Sequence, residues 1–294
     1  MIRKPFITAI GLVLLLLGAC KADEREASRQ TGPALWKIEK DGQKGFIFGT
    51  IHVLPRDTDW QTQALRQAMA SSDRLVLEAS GLDDVANTQK IFDEMGLSAG
   101  LPPLAARVPA SDRPALEALA ERGGMRTDDL SRYESWAAAL RLATVGQSDS
   151  GVSGDDGVEP TLTKAFKAED KPILGLETVE DQFALFDRLP EEVQRRLLRD
   201  TVEQGNAGKD DYAQMLRAWL AGDMKVIARD FVADLAPEPE LAGPLLTDRN
   251  RKWAARIPLL PGRPFIAVGA AHLAGPDNLL TLLEQQGYKV TKIQ

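Results

Sequence analysis

The chain of 294 residues has one cysteine, two histidines and three tyrosines. A lone cysteine cannot pair within the chain, so a disulfide scaffold is excluded. Basic charge is also short: the formal net charge is −7, which excludes a surface built to hold nucleic acid phosphates. The sequence has no Gly-rich phosphate loop, no Gly-x-Ser-x-Gly elbow and no His-x-x-x-His zinc helix. What is present is a hydrophobic share of 44%. That share feeds a packed core and excludes a disordered chain, and the length suits one large domain.

The first twenty residues set the compartment. Arg3 and Lys4 precede an apolar run from Ile7 to Leu17, too short to span a bilayer and of the form of a secretory signal. Leu17-Gly18-Ala19-Cys20 resembles a bacterial lipobox, in which small residues precede the cysteine that takes the lipid. Residues 1–19 are thus expected to be a lipoprotein signal, and 20–33 a lipidated Cys20 with a polar tether. Lysine rather than aspartate follows Cys20, which by resemblance to Gram-negative sorting patterns places the anchor in the outer membrane, facing the periplasm. The folded part, expected over 34–294, then has no thiol, which excludes thiol catalysis and Cys-ligated zinc.

Alternation over Ala34–Glu39, Asp41-Gly42 and the apolar Gly45–Phe48 predict a β-hairpin. Short apolar runs predict strands at 74–78, 172–177, 265–268 and 288–293. Helical spacing is expected over 61–70, 83–95, 111–122, 134–145, 158–168 and 277–286. Gly96 and Gly123 stand where helix stops belong, Tyr133-Glu134-Ser135-Trp136 reads as a cap with a core aromatic, and Gly151–Gly157 reads as a loop. Residues 178–257 are helical in pattern, broken at Pro190, Gly205–Gly208, Gly222 and Pro237–Pro239. Strands at both ends with helices between predict an α/β (α+β) single domain, with a central mixed sheet flanked by helices and a largely helical middle segment.

Both histidines close the same pattern. Phe46-Ile47-Phe48-Gly49-Thr50-Ile51-His52 matches Ile266-Ala267-Val268-Gly269-Ala270-Ala271-His272. Glycine fills roughly one position in fourteen, so a glycine three before both histidines is below about one in a hundred by chance. A buried strand ending in glycine lets the backbone turn or approach a ligand closely. It then delivers an imidazole beyond the strand's carboxyl end, where ligands lie in open α/β sheets. Neutral imidazole is a metal ligand and a general base near neutral pH; as separate residues, the two histidines also read as hydrogen-bonded structural groups.

Glu78 and Glu177 likewise end strand-like runs, and Glu159 is a weaker third. His52 and His272 with one of these strand-end carboxylates would hold a divalent ion and leave a position for water, with a carboxylate that does not bind the ion available as a base. Zn, Mn and Co all suit such donors. The same acids also read as solvated loop residues. Arg249-Asn250, ahead of Trp253 on a helix, offers a guanidinium for substrate or an oxyanion, or for an ordinary ion pair.

As a set these residues resemble the TraB/GumN (pheromone-shutdown) family, related to the Tiki ectodomain metalloproteases. The resemblance runs from Trp36-Lys37-Ile38 through Phe48-Gly49-Thr50-Ile51-His52 with Pro55, Leu77-Glu78, and Gly175-Leu176-Glu177-Thr178 with Gln182. It continues through Arg249-Asn250 with Trp253, Val268 to Pro276, and Gly287-Tyr288. It implies an α/β sheet with both histidines at one site and, by the Tiki branch, divalent-metal-dependent peptide hydrolysis. It also implies His52, Glu78 and His272 as the site core, supported by Arg249. The expected function is a metal-dependent hydrolase acting on peptide or a small envelope substrate. Two alternatives stay open: a non-catalytic protein that captures peptides or envelope components, and metal-free hydrolysis with one histidine as base.

Overall fold

A computed structural model of the chain describes residues 32–149, 152–153, 157–205, 210–233 and 239–294. The expected signal segment, Cys20 and nearly all of the tether lie outside the described residues, as does most of the Gly151–Gly157 segment.

The hairpin forms as the sequence predicts. β1 (Leu35–Lys40) and β2 (Gln43–Thr50) are antiparallel, with Lys40 opposite Gln43. Asp41 and Gly42 both adopt positive φ (49° and 86°), the pairing that a two-residue turn matched to strand twist requires. β4 (Arg74–Ala79), β6 (Ile173–Glu177), β7 (Pro264–Gly269) and β8 (Lys289–Lys292) complete a six-stranded sheet in the order β6-β4-β7-β2-β1-β8. β6, β4, β7 and β2 run parallel, while β1 is antiparallel to both its neighbours. This is the expected mixed sheet. The apolar β7 lies between two parallel partners, with Phe265 to Val268 all buried, as a strand covered on both faces should be.

Helices cover both faces. On one, Phe48, Leu75, Leu77, Phe265 and Ala267 pack with Leu65, Leu162, Phe166 and Trp219, drawn from the Gln63–Ser71, Val158–Ala168 and Asp210–Leu220 helices. On the other, Ile47, Val76, Ile266 and Val268 pack with Trp253, Ile257, Leu279 and Leu283. These come from the Asp248–Arg256 helix, the turn after it, and the Leu279–Gln285 helix. A separate helical core joins the Arg113–Arg122, Ser135–Asp149 and Glu191–Gly205 helices through Leu116, Leu119, Leu142, Leu198 and Val202.

Two local readings change. Part of the expected loop forms β5 (Val152–Ser153), paired with β3 (Leu54–Pro55) in a small second sheet; two-residue strands carry no detectable alternation. Gly96 closes the Val85–Gly96 helix instead of following it. A Cβ there would stand 2.7 Å from the Ala137 Cβ, so this glycine serves close helix packing. Gly123 does cap the Arg113–Arg122 helix, its N–H bonding Leu119 O. No described helix is long and apolar enough to cross a membrane.

Candidate functional site

The parallel strands β4, β6, β7 and β2 end at one edge of the sheet; Glu78 and Glu177 stand in the last two residues of β4 and β6, and His272 and His52 within three residues beyond β7 and β2. Glu177 is followed at once by Thr178, which opens the next helix with a reciprocal capping box to Asp181. The acid is thereby fixed at a strand-to-helix junction. Arg249, Asn250 and Trp253 share the buried side of the Asp248–Arg256 helix, Trp253 standing four residues from Arg249 and three from Asn250.

Arg249 is the hub. Its Nη2 donates to Glu78 Oε2 at 2.7 Å and Glu177 Oε2 at 2.9 Å. Its Nε lies 3.1 Å from both Glu177 oxygens. The three side chains are only 8%, 11% and 9% exposed, so these charges meet with little water between them. Trp253 Nε1 donates to Glu177 Oε1 at 3.1 Å, and its ring lies 4.5 Å from the guanidinium carbon and 4.3 Å from the His272 ring centroid.

The geometry fixes the state of His272. Asn250 Nδ2 donates to Asp277 O, so Asn250 Oδ1 faces the imidazole and accepts from Nδ1–H at 2.7 Å. Nε2 therefore carries the lone pair and accepts from Arg249 Nη1 at 3.1 Å. Burial pushes the His272 pKa down to about 3, with Arg249 adding to the effect, so the ring is neutral at physiological pH. Burial also works against ionising Glu78. Arg249, His52 and the Gly269 N–H more than offset it and draw the Glu78 pKa down to about 2.

The glycines of the repeated pattern have separate reasons. Gly269 donates its N–H to Glu78 Oε1 at 2.6 Å, and a Cβ on it would stand 3.1 Å from that oxygen. Gly49 lets β2 meet the turn after β7, since its Cβ would stand 3.3 Å from the Ala270 Cβ.

His52 sits differently. Register pairs Phe48 with Ala267 and Gly49 with Val268, one residue off the sequence match. Side chains alternate along a strand, so matched positions face opposite sides: Phe48 joins one core and Val268 the other. His52, two residues beyond β2 and 72% exposed, makes its polar contact with Glu159, Nδ1 to Oε1 at 3.0 Å. Thr50 Oγ1 donates to the same oxygen at 2.6 Å. The Glu159 carboxylate raises the His52 pKa above its usual 6.5, an attraction that water at this exposed ring screens.

The structure thus brings Glu78, Glu177, Arg249 and His272 into contact. His52 stands near enough to exchange charge effects with Glu78, Arg249 and His272, but its hydrogen bond goes elsewhere. Sequence reasoning missed Asn250 as the group that orients His272, although its place beside Arg249 was the available signal. Glu159 proves to be the partner of His52. Among the described residues, no group of three or more His, Cys, Asp or Glu stands in a ready ligating arrangement.

A model of the TraB/PrgY/gumN family matches residues 34–292. The chain is 27% identical over 255 residues to "Uncharacterized protein YbaP" of Escherichia coli (strain K12), covering 86% of this chain and 92% of that protein. It is 26% identical over 254 residues to the protein of the same description from Shigella flexneri, with the same coverage. No solved structure gives a significant match.

Proposed function

The chain belongs to the TraB/PrgY/gumN family, and on that premise we propose that it is a metal-dependent hydrolase of peptide bonds. The observation that carries the reading is the fixed tautomer of His272. A buried imidazole, held by Asn250 at Nδ1 and neutral throughout the physiological range, offers Nε2 beside an ionised carboxylate. Such outer support is what ligating histidines have, and a neutral ring does not lose its lone pair to a proton.

The chemistry of the donors fits a divalent ion. His272 Nε2 and Glu78 would hold it, with His52 as the third donor, and the N/O set suits Zn, Mn or Co. Arg249 Nη1 stands on the His272 lone pair, so an ion must displace that hydrogen bond, while Nε and Nη2 keep Glu177. When bound, the ion would polarise a scissile carbonyl and lower the pKa of a water. The chain's own residues do the rest. Arg249 places a fixed positive charge at the cluster and is available to steady a developing oxyanion. Glu177 and Trp253 hold that guanidinium in place, and Glu159, itself held by Thr50, holds His52. Glu78, ionised, accepts a proton or donates a lone pair.

The lipobox-like Leu17–Cys20 supports a lipid-anchored protein of the outer membrane that meets its substrate in the periplasm. One feature favours a second reading, a non-catalytic capture protein: Arg249 already pairs with both carboxylates, which engages the cluster's acids within itself. The test is metal analysis of the purified chain with peptide-library cleavage by wild type and His52→Ala. Bound metal and cleavage abolished by His52→Ala are expected; equal cleavage by the variant overturns the proposal, and no cleavage by either leaves capture as the function.

A further inference from the structure

Beside the site lies a pocket that the cluster does not use. It has a volume of about 400 Å³ and is lined by Leu82, Val85, Phe92, Leu140, Phe183 and, among polar groups, Arg141. That volume is in the range of small-ligand sites. Leu82 and Val85 are 45% and 74% exposed, large apolar side chains at the mouth of an apolar hollow. Arg141 is the second feature. It carries a full positive charge, yet no carboxylate pairs with it among the described residues. Its Nη1 donates to the Tyr133 hydroxyl at 3.3 Å, and its guanidinium lies 4.9 Å over that ring. Its Nε is buried with no hydrogen-bond partner, so a ligand meets this guanidinium through its Nη groups. Asp93 is reached through Tyr133, whose hydroxyl donates to it at 2.8 Å.

Two chain segments lead from the cluster to this pocket. Gln182, 3.5 Å from Glu78 Oε2, precedes Phe183, and Leu82 follows Glu78 by four residues. An extended chain spans at most about 3.6 Å per residue, so the mouth lies within roughly 14 Å of Glu78 along the backbone. An extended peptide crosses that span with about four residues.

We propose that this pocket anchors the C-terminal residue of a peptide, with its apolar side chain against Phe92, Leu140 and Phe183 and its free carboxylate on Arg141. A carboxylate is the acceptor that a guanidinium fork matches best. Gln89, also on the wall, donates Nε2 to Asp93 and keeps its carbonyl oxygen for a peptide N–H, a group that a plain aliphatic acid lacks. The substrate class that follows is peptides ending in a bulky apolar residue, cut a few residues before that end. This rests on the peptide-hydrolase reading for its second half only.

The experiment measures fluorescence anisotropy of a labelled peptide ending in Leu-Phe, as the free acid and as the amide. It uses the full chain carrying Glu78→Gln and, in parallel, wild type with a chelator. The acid is expected to bind at least tenfold more tightly than the amide, and Arg141→Gln to erase that difference. Val85→Asp, on the exposed rim where unfolding is no concern, is expected to weaken the acid at least tenfold. Equal binding of acid and amide overturns the proposal, as does tighter binding of octanoate than of the peptide. Discrimination without cleavage by metal-loaded wild type leaves the pocket standing and removes the hydrolase; cleavage without discrimination does the reverse.

Discussion

Replacing Arg249 by leucine tests the charge logic of the cluster most directly. The guanidinium touches Glu78 at 2.7 Å, Glu177 at 2.9 Å and His272 Nε2 at 3.1 Å, and both carboxylates are at most 11% exposed. Removing one partner of a buried pair costs about 3–5 kcal/mol, because the remaining charge is left uncompensated. Here two carboxylates lose the same cation, which places the expected loss at the upper end, about 4–5 kcal/mol. Such a loss is a large part of the stability of an ordinary domain. The assay is urea denaturation in chelator at pH 7, with the triple variant Arg249→Leu, Glu78→Gln, Glu177→Gln as the partner measurement. With the carboxylates made neutral, more than half of the loss should return. A loss under about 1 kcal/mol for Arg249→Leu, the value of an exposed pair, would refute the claim that Arg249 engages the cluster's acids.

Acid should destabilise the fold early. An unfolded histidine takes a proton below 6.5, whereas folded His272 refuses one until about 3. Stability is therefore full above 6.5 and falls by about 1.4 kcal/mol per pH unit below it. His272→Gln in chelator should flatten the curve between pH 6.5 and 5, and an unchanged slope would assign it to another group. Glu78, drawn from 4.5 to about 2, adds stability that is present above 4.5 and lost as pH falls towards 2, so melting curves below pH 4.5 should steepen further in wild type than in Glu78→Gln. His52 has the opposite sign: its raised pKa gives stability present below 6.5 and lost as pH rises through the folded value. Histidine NMR should show Glu159→Gln moving the His52 titration back towards 6.5, and no movement would dissolve the pair. Gly269→Ala presses a methyl to 3.1 Å from Glu78 Oε1; it should cost about 1–3 kcal/mol in thermal melts, and a neutral result would show that the carboxylate moves freely.

How far the sequence could be read follows from how local each signal is. The Asp41-Gly42 turn and the apolar run of β7 are written within a few residues, and both form as read. Four site residues, Glu78, Glu177, Arg249 and His272, were also visible, because each stands beside a strand end or on a helix with a marked apolar face. β3 and β5 were not visible, being only two residues each.

The equivalence of the two histidines is what the sequence suggested and the fold revised. Residue order determined that each imidazole follows a strand and a glycine. It left open how β2 would slide against β7, and a shift of one position decides which face a side chain meets. Strand pairing across 220 residues settled that register, and the turns beyond the two strands then carry His272 into a buried cluster and His52 towards Glu159. The placing of one guanidinium between two carboxylates was settled in the same way. Its partners, Glu78 and Glu177, lie 171 and 72 residues away, and only packing of the Asp248–Arg256 helix against the sheet brings those charges together.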